Sequence, residues 1–252
     1  MKSMKSWLLK MYIRLHERKM TIDKIDVKYL FSKNRKSDRL IVVFSGWPIR
    51  RISTYNYVKT LSKVKDNKLF ILDSGGYNQL GSYYLGDSCK WLEHDVIPKV
   101  IERIKNECKG VKEVIFTGTS KGGTCALLYG LRMNVDAVIC GSPQYRIAWY
   151  LQNSGKHQLK TFPLLVKDSK FGEKEIDSLL EDAITNAKTT KIHMIYSSGE
   201  LLYPQDGCHL IEKLKGSGLD CRLYDLLDEG FTEHSDVGTY FKPFLLKTLS
   251  EL

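Results

Sequence analysis

Residues 113–131 constrain the fold more than any other stretch of the chain. An apolar run, Glu113-Val-Ile-Phe-Thr117, leads into Gly118-Thr119-Ser120-Lys121-Gly122 and continues at once as Gly123-Thr-Cys-Ala-Leu-Leu-Tyr-Gly-Leu131, which has the composition of a buried helix. A G-x-S-x-G spacing carries meaning only where a buried strand turns sharply into a helix and lifts the serine hydroxyl out of the sheet. Gly122 and Gly123 then let the new helix pack close to the strand. Ser120 is the candidate nucleophile.

The rest of the chain supplies the sheet that such a turn requires. Runs of β-branched and aromatic residues near 26–31, 40–45, 69–73, 113–117, 137–140, 191–197 and 221–226 alternate with helical patterns over 55–64, 89–108, 123–133, 207–215 and 235–249. Strands alternating with helices predict an α/β fold, a mostly parallel sheet of about seven strands with helices on both faces. Residues 141–190 break the alternation, and we read them as a cap inserted beyond a strand's carboxyl end, where ligands of open α/β sheets bind. The expected organisation is a basic segment of amphipathic character over 1–24 followed by one domain over 25–252 that carries the cap insertion.

Composition narrows the setting. With 252 residues and 42% hydrophobic side chains the chain can bury one sizeable core, and no stretch approaches the roughly 20 apolar residues that cross a bilayer. The first twenty residues carry Lys2, Lys5, Lys10, Arg14, Arg18 and Lys19 against Glu17, with Trp7, Leu8, Met11, Ile13 and Leu15 between them. That pattern suits a terminal helix packed on its own domain or a basic amphipathic helix resting on an anionic membrane. A net charge of +10 favours anionic partners, but no nucleic-acid motif accompanies it. The six cysteines form no C-x-x-C pair, so neither zinc nor an iron–sulfur cluster is indicated, and a reducing, cytoplasmic location fits.

A serine hydroxyl needs a base within hydrogen-bond reach and a third group to orient that base. In α/β-hydrolase order the acid follows the serine and the histidine comes last, each after a later strand. His234 lies in Asp228-Glu-Gly-Phe-Thr-Glu-His-Ser-Asp236, between the last strand pattern and the last helix. Glu200 directly follows the strand pattern 191–197 and is the favoured acid; Asp206, in the same turn, is the alternative or else a helix cap. The oxyanion hole calls for two backbone N–H donors. One is assigned to Lys121, and the other to Trp47 in the loop after 40–45, with Gly46 as alternative. The Lys121 side chain is expected to face solvent, and the turn Asp73-Ser-Gly-Gly-Tyr77 to touch substrate without taking part in chemistry.

Phe44-Ser-Gly-Trp-Pro48 with Tyr55-Asn-Tyr-Val58, then Gly118-Thr-Ser-Lys-Gly-Gly123 with Ala126-Leu-Leu-Tyr-Gly-Leu131, then Pro143-Gln144, resembles the bacterial capsular-polysaccharide O-acetyltransferases of α/β-hydrolase fold. The acetyltransferase-like component of accessory secretion systems is a related branch. The resemblance begins near Leu40 and runs to the C-terminus. It implies acetyl-CoA as co-substrate, Ser120 as acetyl carrier, His234 as base and acid, and a polysaccharide acceptor, which the basic charge would suit if the polymer is anionic. Where the resembling proteins show a G-x-D type turn, this chain reads Gly199-Glu200-Leu201-Leu202, which leaves the acid the least settled assignment. A carboxylesterase or polysaccharide deacetylase would use the same triad, and a non-catalytic export protein could keep the fold.

Overall fold

A computed structural model describes residues 2–48 and 53–252, and of the first nine side chains only that of Trp7. Met1 and the side chains of Lys2 and Lys5, part of the basic segment, lie outside the described residues. The chain runs α1 (Lys2–His16), β1 (Glu17–Ile22), β2 (Ile25–Ser32), β3 (Arg39–Phe44), β4 (Asn67–Ile71), α2 (Lys90–Glu93), α3 (Val96–Cys108), β5 (Glu113–Thr119) and α4 (Lys121–Arg132). It continues through β6 (Ala137–Gly141), α5 (Ile147–Asn153), α6 (Lys156–Val166), α7 (Glu173–Asn186), β7 (Lys191–Tyr196), α8 (Cys208–Gly216), β8 (Cys221–Asp225) and α9 (Val237–Glu251).

These strands form one sheet in the order β1-β2-β4-β3-β5-β6-β7-β8. β1 and β2 pair antiparallel, as do β2 and β4; every pairing from β4 to β8 is parallel. β3 shows why the sheet must be covered twice. All but its first residue are buried, and its side chains alternate: Leu40, Val42 and Phe44 join one apolar cluster with α3 and α4, while Ile41 and Val43 join another with Leu245 and Leu249 of α9. Burying one such aliphatic or aromatic side chain stabilises the fold by about 1.5–3 kcal/mol, so a continuous apolar strand fixes helices on both faces.

Three elements of the first half of the chain differ from the expected layout. Segment 1–24 divides: its second part is an eighth strand, β1, whose burial is almost confined to Ile22, so no apolar alternation announced it. A tight hairpin joins it to β2 through Asp23 and Lys24, both at positive φ, 47° and 68°, the twist that two-residue hairpin loops favour. The helix expected over 55–64 is reduced to one tight turn at Thr60–Lys63. The pattern over 89–108 becomes two helices separated by Asp95, at φ 49°.

The interval 141–190, expected as a cap, also divides. α7 buries Ile176, Leu180, Ala183 and Ile184 in the main core and serves as the crossover that a parallel β6–β7 pair requires. α5 and α6 remain beyond the carboxyl edge of the sheet. There Thr161 Oγ1 of α6 accepts the Tyr77 N–H at 3.2 Å.

The two outer strands are polar. β1 exposes Glu17, Arg18 and Lys19, and β8 exposes Arg222, Tyr224 and Asp225.

Candidate active site

The site lies at the carboxyl edge of the parallel strands. β5 ends at Thr119, and Ser120 takes φ 54° and ψ −130° before α4 begins at Lys121. This left-handed φ is strained for a residue with a Cβ, and such strain is stored where surrounding packing fixes it. The flanking glycines show the constraint: a Cβ on Gly118 would stand 2.3 Å from the Gly122 carbonyl oxygen, and one on Gly122 would stand 2.5 Å from that of Phe44. The turn closes only because both side chains are absent.

His234, in the loop after β8, brings Nε2 to 2.8 Å from Ser120 Oγ. Its Nδ1 lies 2.5 Å from Glu200 Oε2, and Glu200 sits in the turn after β7. The carboxylate can only accept, so Nδ1 carries the proton and Nε2 presents its lone pair to the serine hydroxyl. The other Glu200 oxygen is in contact with Ser142 Oγ, just beyond β6. Three elements that end at the same sheet edge thus assemble a serine, a histidine and a carboxylate in hydrogen-bonded series.

Asp206, the alternative acid, is turned elsewhere. It is buried and accepts the backbone N–H groups of Tyr145 at 2.7 Å and Arg146 at 3.0 Å, ahead of α5. Burial raises its carboxyl above the ordinary value, against the opposing effect of those donors. It anchors the start of α5 rather than orienting His234.

Gly46 already donates its N–H to Asn56 Oδ1 at 3.2 Å. The backbone N–H groups of Trp47 and Lys121 have no acceptor among the described residues, the latter because the first turn of a helix leaves its donors unpaired. The Ser45–Trp47 loop passes directly against the elbow, as the Gly46 and Gly122 contacts with Thr119 and Phe44 show.

The Lys121 side chain corrects one expectation. It is fully buried rather than facing solvent, and its Nζ stands 2.6 Å from Asp73 Oδ2, itself fully buried. Asp73 also accepts from Ser82 N at 2.8 Å, Tyr84 N at 3.1 Å and Ser82 Oγ at 3.0 Å. The Lys121 ammonium lies 4.9 Å from the centre of the Tyr84 ring and 5.6 Å from that of Trp47. Asp73 is therefore an internal tie between the β4 turn and the elbow, a pairing with no sequence signal because 48 residues separate its partners.

Gln144, to which no local sequence pattern assigns a role, also reaches the serine. Its Nε2 lies 3.2 Å from Ser120 Oγ, and the Pro143-Gln144 pair was the only indication of it. Beside the triad, on the side of Glu200 and His234, opens a cavity of about 250 Å³ whose walls include Tyr150, Tyr196, Leu202 and Tyr203. Among the described residues its lining contributes carboxylates, Glu200, Asp206 and Glu233, and no lysine or arginine. Among the described residues no cluster of histidine, cysteine, aspartate and glutamate is arranged to hold a metal ion.

No family model matches the chain, and no curated protein matches its sequence. Solved structures do match its fold. A mutant of the capsule O-acetyltransferase of Neisseria meningitidis serogroup A, in complex with CoA, superposes with a TM-score of 0.71 at 20% identity, over 92% of this chain and 94% of that one. That span reaches N-terminal to Leu40, where the resembling motifs begin. A Glycosylation Associate Protein complex from Streptococcus agalactiae gives 0.70 at 18% identity, over 94% of this chain and 47% of that one. A fluorophosphonate-binding serine hydrolase of Staphylococcus aureus, substrate bound, gives 0.55 at 14% identity, over 83% and 88%. The fold is that of the α/β-hydrolases, and the protein kinds that the sequence motifs resemble stand among its structural neighbours.

Proposed function

We propose that this chain is an acetyl-CoA-dependent O-acetyltransferase that modifies hydroxyls of a bacterial capsular or surface polysaccharide through an acetyl-Ser120 intermediate. The observation that carries the reading is the series Glu200–His234–Ser120, at 2.5 and 2.8 Å. Ser120 Oγ attacks the thioester carbonyl as His234 Nε2 takes its proton. Glu200 holds the ring and stabilises the imidazolium that forms. The N–H groups of Trp47 and Lys121 receive the charge on the carbonyl oxygen, where loss of one donor typically costs about 10²–10³ in rate. His234 returns its proton to the departing thiolate. It then takes the proton of a sugar hydroxyl, whose oxygen attacks the acetyl carbon, and delivers it to Ser120 Oγ as the C–Oγ bond breaks.

The choice of donor and acceptor rests on the resemblance and on a CoA complex of the Neisseria meningitidis neighbour. All six cysteines are free, in keeping with a reducing, cytoplasmic setting where acetyl-CoA is available. Exposed Trp7, Met11 and Leu15 on α1, with Lys10 and Arg14 between them, would suit contact with the inner face of the membrane. No helix among the described residues is long and apolar enough to cross it.

Hydrolysis is the second reading. It is favoured by the 38% exposure of the His234 side chain, which lets water reach the base, and by the serine hydrolase among the neighbours. Brief exposure to acetyl-CoA, followed by mass spectrometry, tests the first reading: an acetyl group on the Ser120 peptide, discharged by polysaccharide, is expected. Efficient hydrolysis of simple esters with no transfer to any acceptor would replace it by an esterase or deacetylase. No labelling of Ser120 by acetyl-CoA or by a serine-directed phosphonate would leave the non-catalytic export role.

A further inference from the structure

Ser120 Oγ has a second polar neighbour besides His234. Gln144 is 5% exposed, and the orientation of its side-chain amide is fixed by its partners. Tyr83 donates its hydroxyl to Gln144 Oε1 at 3.0 Å. Burial holds the Tyr83 phenol well above its ordinary value, so it stays protonated and able to donate. With Oε1 thus engaged, Nε2 is left to face Ser120 Oγ at 3.2 Å. The backbone is fixed as well: Gln144 N donates to Thr124 Oγ1 at 2.8 Å, one helical turn beyond the serine. Tyr83 in turn meets the Trp47 ring edge-on at 5.8 Å between centres.

The triad logic requires only one partner for the serine oxygen, the base that takes its proton. A donor to that oxygen has opposite effects on the two halves of acyl transfer. Before acylation it draws charge from Oγ and cannot help its attack. After acylation it faces the same atom as the leaving group, where negative charge develops as the C–Oγ bond breaks. The two halves differ in difficulty, because a thiolate leaves a tetrahedral intermediate readily and an alkoxide does not.

We propose that Gln144 is a catalytic residue for the second half-reaction, donating Nε2–H to Ser120 Oγ as the acetyl group departs. The inference rests on the acetyl-Ser120 reading. In the step concerned, the acceptor oxygen forms its bond to the acetyl carbon and gives its proton to His234. The C–Oγ bond then breaks, its electron pair stays on Oγ, and His234 delivers that proton to the same oxygen. Gln144 donates a hydrogen bond throughout and loses no proton. It biases the intermediate towards release of the enzyme rather than return of the acceptor.

The test separates the two halves with 4-nitrophenyl acetate as donor and water as acceptor. Rapid release of nitrophenolate reports formation of acetyl-Ser120, and intact mass over time reports its decay. In Gln144→Met, which keeps length and removes the donor, formation is expected at the wild-type rate or faster and decay about tenfold slower or more. Tyr83→Phe frees the amide to turn over and is expected to slow decay by a smaller factor with formation unchanged. It also supplies the test should Gln144→Met fail to fold. Equal loss in both halves, loss in formation alone, or no change in decay would overturn the proposal. A wild-type protein that forms no acetyl-Ser120 would instead overturn the acyl-enzyme reading, and this inference with it.

Discussion

Two carboxylate–base pairs flank Ser120, and their environments are opposite. Asp73 and Lys121 are both 0% exposed and held by five donors on the carboxylate, whereas Glu200 and His234 are 12% and 38% exposed beside a cavity. The dry pair joins the residue next to the nucleophile to a distant turn and has no room to exchange a proton with substrate. The open pair ends in an imidazole that can turn over with each reaction. A buried charge pair costs desolvation and is retained only when fully hydrogen-bonded. One pair therefore holds the elbow, and the other is the one that the proposed reaction would use.

The comparison breaks most sharply at the open pair. His234→Ala is expected to lower acyl transfer by about 10⁴-fold or more while the melting temperature stays within a few degrees, as paired kinetic and calorimetric measurements would show. Glu200→Gln should cost about 10⁴-fold as well, since an amide no longer selects the productive tautomer. If the Glu200 variant retained nearly full activity, the assignment of the acid would fail. For the dry pair the readout reverses. Asp73→Ala leaves a buried ammonium without its partner and is expected to destabilise by about 3–5 kcal/mol, visible as a large fall in the denaturation midpoint. Lys121→Met should cost less, because Asp73 keeps its four other donors.

The smallest effect on catalysis is expected at Asp206. Asp206→Asn removes one of the two side-chain oxygens that accept backbone N–H groups, at about 1–3 kcal/mol, with turnover within a few-fold of wild type. Because burial raises the folded carboxyl above its unfolded value, the group's contribution to stability is present below about pH 3.9 and is lost as pH rises through the raised value. The stability gap between wild type and variant should therefore narrow on going from acid to neutral pH. A gap that widened would reverse the sign of the shift.

What was legible in the chain follows the same division. The glycines around Ser120, the late His234 and the continuous apolar strands announce themselves through local pattern, because each is dictated by its own backbone or its own burial. Glu200 could be ranked above Asp206 by position after a strand, but only the hydrogen bonds to Tyr145 and Arg146 show where Asp206 is committed. The fate of Lys121 could not be read, since lysines are ordinarily solvated and its partner comes from another layer of the fold. β1 was hidden for the converse reason: an outer strand buries so little that its sequence has no need of alternation.

The polar outer strands have a further consequence. A sheet of eight strands ends in two rows of unpaired backbone groups, which invite another chain to add itself. Here Arg18 and Lys19 on one side, and Arg222 and Asp225 on the other, surround those rows with charge that a docking strand would have to desolvate or oppose. The margins of the sheet are thereby protected against the kind of self-templated growth that turns an open β-structure into an aggregate.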